Sequence, residues 1–482
     1  MSLERFSPAV RAWFERSFAE PTPAQALGWP AIAAGEHTLI SAPTGSGKTL
    51  AAFLWALDRL VSEPVPPAAE RCRVLYVSPL RALAVDVERN LRAPLTGIAL
   101  EAERLGLPLH APTVAIRTGD TPERDRRDIA RRPPDILITT PESLFLMLTS
   151  GTRGVLRSVR TVIVDEVHAL APNERGAHLA LSLERLEHLA RTPPQRIGLS
   201  ATQRPLEEIA RFLGGYLDGR PRPVRIVDAG HRRPMELTVE VPVEDMADLS
   251  GLAAEPSPMP RLDGPATPGL IPSRGSIWPG VLPRLLELVR SHTSTIVFVN
   301  SRRLAERLAA RLNELAGTEL VAAHHGSIAR EQRLLVEERL KRGALRGIVA
   351  TSSLELGIDM GAVDLVVQVE SPRSVTRGLQ RIGRSGHSVG RPARGVIVPT
   401  HRADLLEAAV VARRMREGEI EETRLPRNPL DVLAQHILGM ACAAPFDAAA
   451  LHAEVASAYP YRDLDRATFD RVVEFVATGG YA

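Results

Sequence analysis

The chain has 482 residues, and a prior of about 150 residues per domain predicts two to four domains. Hydrophobic residues make up 44% of it, yet no run could span a bilayer and the N-terminus carries no secretory signal. The net charge of +3 permits an anionic partner such as nucleic acid without requiring one. Cys72 and Cys442 have no spacing for a zinc site or a disulfide framework, so we expect a cytoplasmic protein with no membrane partner.

A glycine-rich loop follows the apolar run Thr38–Ile40 and opens a helical stretch. A strand that enters such a loop and then a helix directs backbone N–H groups and the positive helix end at one spot, where a triphosphate fits. Lys48, one of only two lysines in the chain, would reach the β- and γ-phosphates, and the Thr49 hydroxyl would bind Mg²⁺. The predicted nucleotide-binding residues of this loop are Thr44, Gly45, Ser46, Gly47, Lys48 and Thr49.

Short apolar runs alternate with helix-length segments along the chain, which is typical of buried parallel strands with crossover helices. The runs after the loop are Val74–Val77, Val114–Ile116, Ile136–Ile138, Val162–Val164, Ile197–Leu199, Ile296–Val299, Val321–Ala323, Ile348–Ala350, Leu365–Val367 and Val396–Val398. A break near residue 230 predicts two α/β domains over residues 1–229 and 230–418. A Pro/Gly/Ser-rich stretch over 245–280 predicts a flexible insertion. Residues 419–482 predict helices at 430–440 and 469–477 that are too short to bury a core of their own.

An acidic pair, Asp165 and Glu166, follows the run Val162–Val164. Ligands bind at the carboxyl ends of strands in open α/β sheets, so Asp165 can hold Mg²⁺ and Glu166 can polarise an attacking water. An isolated Asp-Glu pair is usually a solvated strand end, but the glycine-rich loop upstream favours the catalytic interpretation. Ser200 and Thr202 follow the next run, Ile197–Leu199, but in isolation this short segment indicates no function.

These motifs stand in the order found in superfamily-two helicases of the DEAD/DEAH type, which the chain resembles. The matching segments are residues 22–25, 42–49, 78–83, 117–121, 139–144, 165–168, 200–202 and 380–384. More narrowly, residues 351–359 and 381–387 resemble the core of the large helicase-related (Lhr) family. The resemblance runs from about Phe18 to the last residues. It implies two tandem RecA-like domains with ATP between them, nucleic acid across their tops, and a winged-helix region of which this C-terminally truncated chain would hold only the start.

The resemblance also implies roles for single residues. Gln25 would read the adenine, and Asp359 would contact the ribose. Ser200 and Thr202 could link phosphate occupancy to domain closure by hydrogen bonds. Arg384 would stabilise charge on the transferring phosphoryl group as an arginine finger, supported by Gln380 and Arg381, with ordinary surface charge as the alternative. The candidates for gripping a nucleic-acid backbone are Arg81, Thr140, Ser301, Arg302 and Thr351, each with loop or helix capping as a nearly equal alternative.

The function that the resemblance implies is ATP-dependent, 3′-to-5′ movement on single-stranded DNA, with unwinding of DNA or RNA:DNA duplexes in DNA repair. ATP and Mg²⁺ are the expected cofactors, and the sequence indicates no particular protein partner. Two alternatives stay open: an ATPase that remodels protein–nucleic-acid complexes without unwinding, and an ATP-switched clamp with negligible turnover. A clamp has no need of Glu166, which argues against the second alternative.

Overall fold

A computed structural model describes residues 3–43, 45–201, 203–230, 234–246, 249, 276–355, 361–386 and 392–479. The chain forms two compact units. Unit 1 comprises Met1–His231 together with Glu422–Ala482, and unit 2 comprises Arg232–Glu421. No helix within the described ranges is long and apolar enough to cross a membrane.

Unit 1 is built on a parallel sheet of seven strands. They are β1 (His37–Ser41), β2 (Val74–Val77), β3 (Val114–Arg117), β4 (Ile136–Thr139), β5 (Thr161–Val164), β6 (Gln195–Ser200) and β9 (Val224–Asp228), and a short ribbon of β7 (Tyr216–Leu217) and β8 (Arg220–Pro221) precedes the last. The spatial order is β3-β4-β2-β5-β6-β1-β9. The helices of the N-terminal stretch are α1 (Pro8–Ser17), α2 (Pro23–Ala33), α3 (Lys48–Ser62), α4 (Arg81–Arg104), α5 (Glu123–Arg131), α6 (Pro141–Leu148), α7 (Val167–Leu170), α8 (Glu174–Leu189) and α9 (Leu206–Gly214).

Unit 2 has a parallel sheet of six strands in the order β10-β15-β14-β11-β13-β12. The strands are β10 (Met235–Val239), β11 (Thr295–Phe298), β12 (Val321–His324), β13 (Gly347–Ala350), β14 (Leu365–Val369) and β15 (Ala393–Val398). The helices are α10 (Trp278–Ser291), α11 (Arg302–Ala316), α12 (Arg330–Lys341), α13 (Val375–Ile382) and α14 (Arg402–Glu417). Every apolar run predicted from the sequence overlaps a strand. Helix α10 begins inside the predicted insertion, of which residues 247–248 and 250–275 lie outside the described ranges.

The C-terminal stretch adds α15 (Leu430–Ala443), α16 (Ala448–Ser457) and α17 (Arg466–Thr478) to unit 1. Leu433 and Phe469 belong to the same buried apolar cluster as Leu179 and Leu183 of α8. The C-terminal helices therefore pack into the core of unit 1.

A buried ion cluster ties β6 to the helices that cover it. Arg196 is 2% exposed, donates to Glu184 at 2.8 Å, and contacts both Glu187 and the main-chain oxygen of Gly214. Arg222 also contacts Glu184, at 2.9 Å. Because every buried charge in the cluster has a partner of opposite sign, removal of one partner leaves an uncompensated charge in the interior.

We predict that Arg196→Ala lowers the free energy of unfolding of unit 1 by about 3–5 kcal/mol, the range for breaking a buried pair. Arg225→Ala is the matched control, because the Arg225–Glu36 pair of the same sheet is exposed. Such a surface pair contributes only about 0–1 kcal/mol. Urea denaturation followed by circular dichroism measures both losses, and equal losses would contradict the prediction.

Candidate active site

The glycine-rich loop joins β1 to α3, which begins at Lys48. Gly45 and Gly47 have φ values of 80° and 76°, a left-handed conformation that residues with a Cβ rarely adopt. A Cβ at Gly47 would also lie 2.8 Å from the side-chain nitrogen of Gln25. Ser46 closes the turn, because its hydroxyl donates to the carbonyl oxygen of Pro43 at 2.7 Å. The loop shape is thus fixed by residues within and beside it. Thr44 lies outside the described residues.

Gln25 contacts the glycine-rich loop directly. Its Oε1 accepts the N–H of Thr22 at 3.0 Å, and its Nε2 donates to the carbonyl oxygen of Gly47 at 3.4 Å. The side chain is 3% exposed and forms a capping box with Thr22 at the start of α2. This geometry places Gln25 against the loop, and its predicted contact with adenine stays a prediction.

The acidic pair lies beside Lys48 at the carboxyl edge of the unit 1 sheet. Lys48 Nζ is 3.6 Å from Glu166 Oε1, and Asp165 Oδ1 accepts the Glu166 N–H at 2.8 Å. Glu166 has a φ of 45°, and this left-handed residue turns the chain from β5 into α7. Burial and the neighbouring charge of Glu166 raise the pKa of Asp165 to about 6. The structure thus brings the three residues predicted for phosphate, metal and water into one buried cluster.

His168 connects the acidic pair to the segment that follows β6. Its Nδ1 accepts the N–H of Ala201 at 3.1 Å and lies 3.4 Å from the Ser200 hydroxyl. Its Nε2 lies 3.4 Å from Glu166 Oε2. Burial lowers the pKa of His168 to about 4, so the ring is neutral near pH 7, and a ring that accepts at Nδ1 carries its proton on Nε2. Ser200 thus lies beside the acidic pair through one histidine, and Thr202 lies outside the described residues.

Tyr76 is a member of the site that the sequence analysis did not identify. It lies on β2, is fully buried, and its hydroxyl donates to Asp165 Oδ2. The ring stacks on Phe53 of α3, with the ring centroids 5.1 Å apart. Burial and the adjacent Asp165 carboxylate raise the pKa of Tyr76 well above its usual value, so the hydroxyl stays protonated. The available signal was a hydroxyl in an otherwise apolar strand, because a buried tyrosine usually finds a hydrogen-bond partner.

The two arginines predicted to act in hydrolysis are buried within unit 2. Arg381 forms an ion pair with Glu355 and donates to Gln368 at 2.7 Å and to Asn300 at 3.2 Å. Arg384 donates to the main-chain oxygen of Glu355 at 2.7 Å. They are 3% and 2% exposed, so the alternative that they are surface charges is wrong.

The catalytic roles of these two arginines stay predictions, as does that of Gln380. Gln380 is half-buried on α13. Asp359, the predicted ribose contact, lies outside the described residues.

Two candidate nucleic-acid contacts lie at the carboxyl edge of the unit 1 sheet. Arg81 follows β2, is well exposed, and pairs with Asp120, which follows β3. Thr140 follows β4 but is only 3% exposed, and its hydroxyl donates to Ser143 at 3.3 Å. Arg81 is therefore the one of this pair whose side chain is open to a ligand.

The other three candidates belong to unit 2. Ser301 caps α11, since its hydroxyl accepts the N–H of Leu304 at 3.1 Å, as the capping alternative expects. Arg302 is exposed and donates to the Ser327 hydroxyl at 2.8 Å. Thr351 is half-buried after β13. Their contact with nucleic acid stays a prediction.

Three family profiles match successive parts of the chain. Residues 22–209 match the profile described as DEAD/DEAH box helicase, and residues 280–388 match the helicase conserved C-terminal domain. Residues 413–482 match the winged helix domain of the large helicase-related protein. The last match bears out the predicted winged-helix region.

Known relatives and solved structures are similar over nearly the whole chain. A Lhr helicase/probable uracil glycosylase of Mycolicibacterium smegmatis is 53% identical over 98% of this chain and 32% of its own length. The ATP-dependent helicase Lhr-Core protein 2 of Thermococcus barophilus is 44% identical over 99% of this chain and 53% of its own length. The structure of Mycobacterium smegmatis helicase Lhr bound to ssDNA and AMP-PNP has a TM-score of 0.87 and 56% identity, and covers 98% of this chain and 58% of that chain. The chain thus spans about a third to a half of these curated relatives.

If Asp165 holds the metal, as the sequence predicts, Tyr76→Phe should weaken metal binding by about 10–100-fold, the range for loss of a hydrogen bond to a metal ligand. Mn²⁺ binding in the presence of a non-hydrolysable ATP analogue, measured by electron paramagnetic resonance, tests this. Tyr461→Phe is the control, because the Tyr461 hydroxyl is equally buried but donates to the main-chain oxygen of Pro429. Unchanged Mn²⁺ affinity in Tyr76→Phe would contradict the prediction.

Proposed function

The chain belongs to the Lhr family of DEAD/DEAH-box helicases, and on that premise we propose that it hydrolyses ATP to drive movement along single-stranded nucleic acid. The observation that carries the proposal is the burial of Lys48 against Glu166, beside Asp165, where β1 and β5 end. A similar structure is described as bound to ssDNA and AMP-PNP, and we propose the same two classes of ligand for this chain.

In this proposal each residue of the cluster has one task. Lys48 leaves its contact with Glu166 to bind the β- and γ-phosphates, and the Glu166 carboxylate accepts the proton of the attacking water. Neutral His168 lies between Glu166 and Ala201, and its Nδ1 accepts the N–H of Ala201. Gln25 and Asp359 are proposed to contact the adenine and the ribose.

Thr49 and Asp165 are the residues that would hold a magnesium ion. A hydroxyl and a carboxylate oxygen suit this hard cation, which would neutralise phosphate charge when bound. Among the described residues, no cluster of three or more His, Cys, Asp or Glu side chains could hold a metal ion. Water and phosphate oxygens of the nucleotide would supply the other ligands, since Mg²⁺ is usually bound by one or two carboxylates together with substrate phosphates and keeps several waters.

The finer parts of the proposal rest on the family resemblance alone. They are 3′-to-5′ polarity, unwinding of DNA or RNA:DNA duplexes, a role in DNA repair, and a cytoplasmic location. The phosphate-gripping roles of Arg81, Thr140, Ser301, Arg302 and Thr351 are proposed on the same ground.

Steady-state ATP hydrolysis with and without single-stranded DNA or RNA tests the proposal, and we expect either nucleic acid to stimulate turnover.

We predict that Glu166→Gln binds ATP but loses about 10²–10⁴-fold in turnover, the cost of removing a general base. Loss of ATP affinity instead would make Glu166 a binding residue.

Two outcomes for the unmodified protein would favour the alternative functions. Stimulated turnover without strand separation would favour the remodelling ATPase, and negligible turnover would favour the clamp.

Arg384→Ala should spare ATP binding and should remove the stimulation of turnover by single-stranded DNA. The physical reason is that the guanidinium is proposed to stabilise charge present only in the transition state. Arginine fingers contribute about 10³–10⁵ in rate in GTPases, so the loss should be large. Arg384→Lys should not restore stimulation, because an ammonium lacks the planar fork. Stimulated turnover within a few-fold of the unmodified protein would contradict the assignment.

A further inference from the structure

Arg175, in the first turn of α8, contacts two segments that follow neighbouring strands. Its Nε donates to Glu142 Oε1 at 2.7 Å, and one terminal nitrogen donates to the main-chain oxygen of Pro79 at 2.8 Å. Pro79 lies in the loop between β2 and Arg81, and Glu142 lies in the first turn of α6, after β4 and Thr140. One guanidinium therefore joins the loop that carries Arg81 to the helix start that Thr140 precedes.

Further arginine contacts hold the third loop of this edge, which follows β3. Arg126 donates to the main-chain oxygen of Gly119 at 2.9 Å, and Arg81 pairs with Asp120. The strands β3, β4 and β2 are neighbours in the sheet, so the three loops meet at one edge. These arginine contacts thus fix three adjacent loops relative to one another.

Stability of the fold does not account for the Arg175 contacts. The side chains of Arg175 and Glu142 are 43% and 54% exposed, and exposed ion pairs contribute little to folding. A loop that is already ordered, however, spares a ligand the cost of ordering it on binding. We therefore expect the loss of these contacts to lower ligand affinity and to change the free energy of unfolding only slightly.

We infer that Arg175 is a positioning residue for nucleic-acid binding, which holds the Arg81 loop and the start of α6 in the arrangement that accepts a strand backbone. The inference rests on the proposed function. Arg175 is not proposed to contact a phosphate of the nucleic acid directly, because two of its donor nitrogens already bond to protein acceptors.

The test is the affinity for single-stranded DNA as a function of salt concentration. Arg175→Ala, Arg175→Lys and Glu142→Ala should each weaken binding by about 3–10-fold, the cost of ordering one or two more side chains. The slope of the logarithm of the binding constant against the logarithm of the salt concentration should be the same as for the unmodified protein. Arg175→Lys should not restore the affinity, because one ammonium cannot replace the planar guanidinium that donates to both Glu142 and Pro79.

Glu142→Ala is the most decisive variant, because a pure charge effect and an anchoring role of Glu142 predict opposite changes in affinity for single-stranded DNA. If charge alone mattered, removal of a carboxylate near a polyanion would strengthen binding. If Glu142 anchors Arg175, its removal weakens binding. Arg191→Ala is the matched control, since Arg191 pairs with Glu70 at 2.6 Å just beyond the other end of α8 and should leave affinity unchanged.

Arg81→Ala calibrates the assay, since loss of one phosphate contact lowers the salt slope by about 0.7 for a single strand. The same slope change in Arg175→Ala, or rescue by Arg175→Lys, would make Arg175 a phosphate contact and overturn the inference. Tighter binding by Glu142→Ala would also overturn it. If the unmodified protein fails to bind single-stranded DNA, the proposed function fails as well. Thermal melts of each variant check that the fold is intact.

Discussion

Three charges buried at one edge of the unit 1 sheet constrain the rest of the site. Lys48, Asp165 and Glu166 are each at most 6% exposed, and charges withdrawn from water need partners of opposite sign. One ammonium cannot balance two carboxylates, and the pKa of Asp165 is raised by its burial and by the neighbouring charge of Glu166. A divalent cation held by Asp165 would offset part of this negative charge.

The strand order places the two proposed activities on different halves of one sheet. The segments after β1 and β5 carry Lys48, Asp165 and Glu166, which are proposed to act on the nucleotide, and the loops after β2, β3 and β4 carry Arg81, Asp120 and Thr140. The halves meet where β2 lies beside β5. At this boundary the Tyr76 hydroxyl, on β2, contacts Asp165, which follows β5. Because Tyr76 lies only a few residues before the loop that carries Arg81, β2 provides a short physical route between the two sets of loops.

The sequence predicted the central strands and the charged cluster, because each has a local signature. Continuous apolar runs marked the buried strands, and the glycine-rich loop and acidic pair marked Lys48, Asp165 and Glu166. The strands β9 and β10 were not predicted, because exposed residues such as Arg225 and Glu236 interrupt their apolar pattern. The contact between Tyr76 and Asp165 spans 89 positions of sequence, and no local pattern encodes a contact of that range.

The chain returns from unit 2 to unit 1 at Glu421–Glu422, and the residues on either side of this point form hydrogen bonds within their own units. In unit 2, the Glu421 carboxylate accepts the N–H groups of Val375 and Thr376, at the start of the helix that carries Gln380 and Arg381. In unit 1, the Thr423 hydroxyl donates to Gln203 Oε1 at 2.7 Å, and its N–H donates to the main-chain oxygen of Arg204.

Only Glu422 separates these two anchors. Gln203 lies three residues after Ser200, so the segment that follows β6 is tied to the same short stretch of chain as α13. Three hydrogen bonds reach the Glu421 carboxylate from the first turn of α13, which also gains from an anion at its positive end. Within unit 2, a shift of α13 therefore breaks these hydrogen bonds unless Glu421 moves with the helix. Within unit 1, Thr423 keeps its own contacts with Gln203 and Arg204.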